Sequence, residues 1–333
     1  MMKLPRFVTT ITPQRVSFAG GGTDFREFYS LHGGAVVSAT IDKFCYVTVK
    51  RHSELFKEKF RLSYSESEHV NDLNEMKNDI ARECLRLLNV EPPLFISTTS
   101  DLPLSSGLGS SSSFAVGLLL ALHNLRGEEV TAGQLAEEAC HIEIDVLGKP
   151  IGKQDQYAAA FGGLNYYDFR KDGRVRVESL WSARNDIQKL FESCILFWTG
   201  IQRNAEDVLG EQKENIPHRI DSLKEMSEIA KNCRSVVLDS ENIVNDLSEL
   251  INIGWSKKRN LASTISSTLL DDAVERAMSE GALGVKIAGA GGGGFLFVLM
   301  QKDSEEKIIN ALSDMTAVKI NYYPGGAKVL VSL

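Results

Sequence analysis

The chain has 333 residues and no long apolar run. Its longest, Phe114–Leu122, stops at His123, far short of the roughly 20 apolar residues that cross a bilayer. The opening MMKLPRFVTTITPQR holds no apolar segment of signal-peptide length. No membrane partner and a cytoplasmic location are therefore expected. Cysteine is sparse: Cys45, Cys84, Cys140, Cys194 and Cys233 are odd in number and form no C-x-x-C pair, as expected for reduced, buried thiols. His32, His52, His69, His123, His141 and His218 lack metal-ligand spacing, which argues against structural zinc. Positive charge is in deficit. A net charge of −7 repels nucleic acid, so that partner is not expected either.

What is present is the make-up of a globular protein, 43% hydrophobic and 24% charged. The length suggests two domains at roughly 150 residues each. A boundary near Lys171–Asp186 divides the chain into residues 1–180 and 181–333. β-branched and aromatic residues predict strands at Phe7–Ile11, Arg15–Ala19, Ala35–Ile41, Phe44–Arg51, Pro93–Thr99, Gly163–Phe169 and Arg174–Leu180. Thr23 and Asp24 are expected to cap a short helix ending near Gly33–Gly34. Helical spacing predicts helices over Asn71–Leu88, Ser110–Leu125 and Ala132–Leu147. Beyond residue 180, a strand at Ser193–Thr199 precedes helices over Asn204–Glu280. Then follow strand, glycine loop and strand, a short helix at Glu305–Leu312, and strands at Ala317–Tyr322 and Ala327–Val331. Without regular alternation of strand and helix, the class is α+β.

One segment between a strand and a helix stands out: Pro103-Leu-Ser-Ser-Gly-Leu-Gly-Ser-Ser-Ser-Ser113. Glycines let backbone approach a phosphate, and a helix N-terminus offers free N–H groups and partial positive charge. Serine hydroxyls there can cap the helix or reach a phosphate-bound metal ion. The segment has no lysine and no G-x-G-x-x-G, so it is neither a Walker A loop nor a dinucleotide fingerprint. A serine-rich cap on a buried helix is the plain alternative.

Two carboxylates follow. On a helical wheel, Glu143 sits among Ala132, Leu135, Ala136, Ala139, Cys140, Val146 and Leu147, on the face that should be buried. An unpaired buried carboxylate costs several kcal/mol. Bound Mg²⁺ or a basic side chain would offset that. Asp155 lies in GKPIGKQDQYAAAFGG, after a glycine-punctuated turn. It reads either as a catalytic carboxylate or as a helix cap.

Together with two flanking motifs, these features resemble the GHMP kinases. The first motif is Pro13-Gln-Arg15-Val-Ser-Phe-Ala-Gly20-Gly-Gly-Thr23-Asp24-Phe, the second is the serine loop, and the third is Lys286-Ile-Ala-Gly289-Ala-Gly291-Gly-Gly-Gly294. The resemblance implies an N-terminal domain like domain 2 of ribosomal protein S5, a ferredoxin-like C-terminal domain, and ATP with its acceptor in the cleft between. It implies that Gly107, Gly109, Ser110 and Ser111, with Pro103, Ser106, Leu108 and Ser112, hold the ATP phosphates. Ser110 and Glu143 would ligate Mg²⁺. Asp155 would take the acceptor hydroxyl proton, and Arg15 would orient it and stabilise the developing alkoxide. Asp24 would bind sugar hydroxyls, with Gly21, Gly22, Thr23, Gly291 and Gly292 on the acceptor side.

Within the family, AGGGTDF, GKQDQYAAAFGG and TGIQRNAEDVL resemble the branch acting on D-glycero-D-manno-heptose 7-phosphate. That implies a small-molecule sugar phosphate as substrate and its anomeric hydroxyl as acceptor. Lys153, Arg203 and Lys286 adjoin motifs and are candidates to meet the existing phosphate, with solvated surface cations as the alternative. A kinase for fucose, galactose or mannose, or a non-catalytic sugar and ATP sensor, remains as another reading. The oligomeric state stays open, a homodimer included.

Overall fold

A computed structural model describes residues 4–53, 55–103, 106–180, 187–202 and 204–333. In chain order the first part runs β1 (Phe7–Ala19), α1 (Arg26–His32), β2 (Gly34–Lys50), β3 (Phe60–Ser63), β4 (Ser67–Val70), α2 (Asp79–Leu87), β5 (Leu94–Ser100) and α3 (Ser110–Leu125). Then come α4 (Ala132–Cys140), α5 (Gln154–Phe161), β6 (Leu164–Phe169) and β7 (Val175–Ser179). The second part runs α6 (Ile187–Glu192), β8 (Cys194–Trp198), α7 (Ala205–Asn215), α8 (Ile220–Asp239), α9 (Ile243–Lys258) and α10 (Thr268–Ser279). It closes with β9 (Ala282–Ile287), β10 (Phe295–Met300), α11 (Glu305–Ala311), β11 (Thr316–Lys319) and β12 (Lys328–Ser332).

Four predicted strands merge into two. Phe7–Ile11 and Arg15–Ala19 are one strand, β1, and Ala35–Ile41 and Phe44–Arg51 are one strand, β2. The ladder slips where Pro13 pairs with Phe44 and Gln14 with Ile41, leaving Asp42 and Lys43 as extra residues. Proline has no N–H for the ladder, so the chain bulges there and continues. The predicted helix over Asn71–Leu88 is also shorter. Asp72 and Glu75 form a capping box on one tight turn, and the Asn78 side chain accepts from Ala81 N to start α2. These side chains end and restart the helix by bonding backbone locally.

The first sheet has the order β12-β1-β2-β5-β3-β4, with β6 on the other half of β2 and β7 beyond it. β12 comes from the end of the chain, so the second half completes the first half's sheet. The second sheet has the order β11-β8-β10-β9, all antiparallel. Counted along the chain this is 4-1-3-2, the ferredoxin-like arrangement. The architecture is α+β, as expected.

Three apolar clusters hold it together. One lies between the first sheet and α2, α3, α4 and α5, with Val47, Ile96, Leu118 and Leu122 fully covered. A second joins the two lobes: Val16, Phe18 and Val37 meet Leu196, Phe295, Phe297 and the inner faces of α8 and α9. Phe18 packs edge-on to Phe297 at 5.7 Å between ring centres. Burying such a side chain stabilises the fold by about 1.5–3 kcal/mol, so the joint is part of the core. The third cluster backs the second sheet with Leu261, Ile265, Leu270 and Ala273.

Candidate active site

The N-terminus of α3 opens into a cavity of about 680 Å³ between the lobes. Pro103, Ser106, Gly107, Gly109, Ser110, Ser111 and Ser112 line one side, with Gly289 and Ala290 opposite. Gly109 has φ +80° and no side chain caps the helix, which leaves its first-turn N–H groups for an anion. The third motif seats on the second by glycine contact. A Cβ at Gly289 would stand 2.3 Å from Gly107 O, and one at Gly107 would stand 2.6 Å from Ala288 O. Leu108 is buried, and its carbonyl accepts from Arg15 N at 3.0 Å, fixing the loop to β1.

Arg15 then crosses to α5. Its Nε and Nη2 lie 2.8 and 2.6 Å from Asp155 Oδ1, and Nη1 donates to Gly107 O at 2.7 Å. Gln154 Nε2 adds a 3.0 Å bond to the same Oδ1. Asp155 Oδ2 lies against Gly109, whose Cβ position is 3.4 Å away. Thus the structure brings Arg15, Asp155 and the serine loop together, 140 residues apart in sequence for the first two.

Glu143 lies in a single π-helical turn, His141–Val146, where Leu147 N donates to Ile142 O five residues back. The predicted helix over Ala132–Leu147 therefore widens after Cys140. Such turns recur at functional sites, where the extra residue re-aims a side chain. Glu143 is fully buried. Ser111 Oγ donates to its Oε1 at 2.8 Å; Ser112 Oγ and Gln156 Nε2 donate to Oε2 at 2.7 Å. Burial raises its pKa, and these three donors and the charge of Lys149 hold it back only in part. All three hydrogen-bonding neighbours are neutral, so a cation would be favoured there.

Hard oxygen donors beside a free helix N-terminus would suit Mg²⁺, which takes one or two carboxylates plus phosphate oxygens. Among the described residues no group of three or more His, Cys, Asp or Glu is arranged to hold a metal. The hydroxyls beside Glu143 belong to Ser111 and Ser112. Ser110, the serine named from the sequence, faces Ser106 Oγ at 3.4 Å instead. A helix places successive residues 100° apart, so only structure decides which serine faces the glutamate.

The remaining sequence-named residues divide. Thr23 does not cap a helix: its Oγ1 lies 2.8 Å from Gly20 O and 2.9 Å from Ala35 O, and accepts from Ala35 N. Asp24 clasps the glycine loop to α5, accepting from Gly22 N at 2.9 Å and Gln154 N at 3.1 Å. Burial raises its pKa, opposed by those backbone donors. The N-cap of α1 is Phe25, without a side-chain bond. Lys153 points away from the cavity, with both Glu137 oxygens at 3.0 Å. Gly291 and Gly292 pack on Ile265, and Gly292 N donates to Ile265 O. Arg203 lies outside the described residues.

Two lysines escaped sequence reading. Lys149 lines the cavity, 3.6 Å from both Asp79 and Glu206, one from each lobe. Lys258 is buried beside the glycine loop. Its signal was present: it continues the stripe Leu247, Ile251 and Trp255 that buries α9. A lysine on a buried stripe needs a reason, just as Glu143 did.

A helix end with free N–H groups, facing a carboxylate pinned by arginine, is the arrangement of a phosphotransferase with an alcohol as acceptor. Comparison with known proteins agrees. Residues 74–163 match the GHMP kinases N terminal domain, and residues 240–317 the GHMP kinases C terminal. The chain is 30% identical, over 92% of its length and 93% of the relative, to a D-glycero-alpha-D-manno-heptose 7-phosphate kinase of Campylobacter jejuni. It is 26% identical to a galactokinase of Pyrococcus furiosus, over 92% of each. The fold superposes with TM-score 0.78 and 22% identity on a D-glycero-D-manno-heptose 1-phosphate kinase from Bacteroides thetaiotaomicron, covering 97% of this chain and 99% of that one. The chain belongs to the GHMP kinase family and is a small-molecule kinase of the sugar-kinase type. No helix among the described residues is long and apolar enough to cross a membrane.

Proposed function

We propose that this kinase transfers the γ-phosphoryl group of ATP to the anomeric hydroxyl of D-glycero-D-manno-heptose 7-phosphate, giving the 1,7-bisphosphate. The observation that carries the transfer is the Arg15–Asp155 pair against Gly109. Asp155 Oδ2, without a hydrogen-bond partner among the described residues, accepts the hydroxyl proton. Arg15 orients Asp155 through Oδ1 and lends positive charge to the alkoxide that forms. The Ser110–Ser112 turn and the helix N-terminus receive the phosphates. Glu143 and Ser111 would hold Mg²⁺, which when bound would supply positive charge beside the transferring phosphoryl group. Phosphoryl transfer needs positioning and charge compensation more than covalent help, and this cleft is built for both.

The acceptor is inferred from likeness to the Campylobacter jejuni relative and from the polar surroundings of Gly21, where a Cβ would meet only Ser17 and Lys258 at ordinary contact distance, whereas Gln212 closes off Gly22. A cytoplasmic site of action fits a consumer of ATP. A coupled ADP-release screen across hexoses, heptoses and their phosphates tests the reading. Heptose 7-phosphate should give the highest kcat/KM. Faster turnover of an unphosphorylated hexose would overturn it in favour of another sugar 1-kinase, the reading that the galactokinase likeness supports. No turnover with any sugar would favour a sensor.

A further inference from the structure

The loop after β1 leaves a small polar space over one residue, just wide enough for a methyl at ordinary contact distance. A Cβ at Gly21 would meet nothing nearer than Ser17 Oγ at 3.9 Å and Lys258 Nζ at 4.0 Å. The walls of this space are polar. Lys258 Nζ donates to Gly21 O at 3.3 Å and to Gln212 Oε1 at 3.0 Å, which leaves a third N–H. Ser17 Oγ and Gln212 Nε2 are buried with no hydrogen-bond partner. Lys286 arrives from β9 and donates to Ser17 O at 3.0 Å. Among the described residues neither ammonium has a carboxylate in salt-bridge reach, in contrast to Lys153 on Glu137.

The charges around this space are unbalanced. Burial holds the Lys258 pKa down to about 8, while the charges of Asp24 and Asp155 reach it from the base side. Burial, Lys258 and Arg15 hold Lys286 down to about 7. Three cations thus lie near the base, and beside them the Ser17 Oγ and Gln212 Nε2 atoms are buried without a partner. An anion would relieve their repulsion and take up the spare donors.

We propose that Lys258, Lys286 and the Ser17 hydroxyl form an anion subsite over Gly21 that receives the phosphate already carried by the acceptor sugar. The proposal rests on the sugar phosphate reading above and names Lys258 as the residue that sets the preference for phosphorylated acceptors. The charges of both Asp24 and Asp155 reach Lys258, so a sugar with its anomeric hydroxyl at Asp155 has this subsite as the neighbouring seat for its phosphate. Lys258 acts on binding, and the transfer step itself is left to Asp155 and Arg15.

The test compares heptose 7-phosphate with the unphosphorylated heptose in the full chain and its Lys258→Met, Lys258→Arg and Lys286→Met variants. The ratio of the two kcat/KM values should fall roughly 10- to 100-fold in Lys258→Met, the loss expected for one charge-assisted bond. Lys258→Arg should restore most of the ratio, which a purely structural role for the side chain would not predict. A ratio unchanged in both methionine variants overturns the subsite and leaves the kinase reading standing. A wild-type enzyme that ignores phosphorylated sugars overturns the acceptor reading, and the subsite with it. Should the variants fail to bind ATP through misfolding, inorganic phosphate is titrated into the wild type at saturating ATP. Competition with the acceptor supports the subsite, and no competition overturns it.

Discussion

Arg15 grips Asp155 through one oxygen only: Nε and Nη2 both converge on Oδ1, at 2.8 and 2.6 Å, and Oδ2 rests against Gly109. The carboxylate is thus held rigid while its other oxygen stays available at the phosphate loop. Asp155→Asn keeps the shape but removes the carboxylate proposed as proton acceptor. Turnover should fall by about 10²- to 10⁴-fold, the usual contribution of a general base. Nucleotide titration of the same variant should show ATP affinity retained, because asparagine keeps the shape against Gly109 and leaves the free N–H groups of α3 untouched.

Gly109 reports on the same contact from the other side. Gly109→Ala forces a side chain into φ +80° and places its Cβ 3.4 Å from the Asp155 carboxyl. The backbone cost alone is roughly 1–2 kcal/mol. Both kcat and the KM for ATP should worsen, measured by coupled ADP release, with a smaller effect on the melting temperature than on kcat.

The seating of the third motif on the second makes a further expectation. Gly289→Ala brings a Cβ to 2.3 Å from Gly107 O, a clash between two backbones that no rotamer relieves. The two loops must part, and the KM for ATP should rise by an order of magnitude or so, about 1.4 kcal/mol. An unchanged KM would show that the contact has no part in holding the nucleotide.

Glu143→Gln removes the buried charge but keeps the volume. If Glu143 is the Mg²⁺ ligand proposed above, this should raise the Mg²⁺ concentration needed for half-maximal activity by roughly 10- to 100-fold. Ser111→Ala should act in the same direction and Ser110→Ala less, since Ser111 donates to Glu143 whereas Ser110 faces Ser106. An equal response from the two serines would count against the assignment to Ser111.

Away from the site, His123 is buried on α3 with Glu128 and Glu138 each 2.8 Å from a ring nitrogen. Burial alone would lower its pKa; the bonds to Glu138 and Glu128 outweigh it and raise the value above 6.5. A raised folded pKa stabilises the protonated ring. That contribution is full below the unfolded pKa, near 6.5, and is lost as pH rises through the folded value. The melting temperature of the wild type relative to His123→Asn should therefore be greatest near pH 6 and shrink toward pH 9. A difference independent of pH would refute the charged pairing.

The extent of each secondary element was legible where periodicity was strong and local. The predicted span of α3, Ser110–Leu125, matches the structure because its serine start and apolar run need no tertiary help. β1 and β2 were misread as pairs, since Pro13 looks like a break in sequence, whereas the sheet around it absorbs it as a bulge. Glu143 was legible as a buried carboxylate because its apolar neighbours follow the helical period.

What sequence by itself determined, then, was the set of motifs, the α+β class and the chemistry they share, since glycine spacing, serine hydroxyls and a carboxylate on an apolar face are local properties. Tertiary structure decided which atoms meet: Ser111 with Glu143, Arg15 with Oδ1 of Asp155, Lys153 with Glu137, and Lys258 with Gly21. Those pairings span from 16 to 237 residues of chain, as the sequence separations of Lys153–Glu137 and Lys258–Gly21 show. Side-chain direction over such separations depends on how two sheets and their helices pack, and no local pattern encodes that.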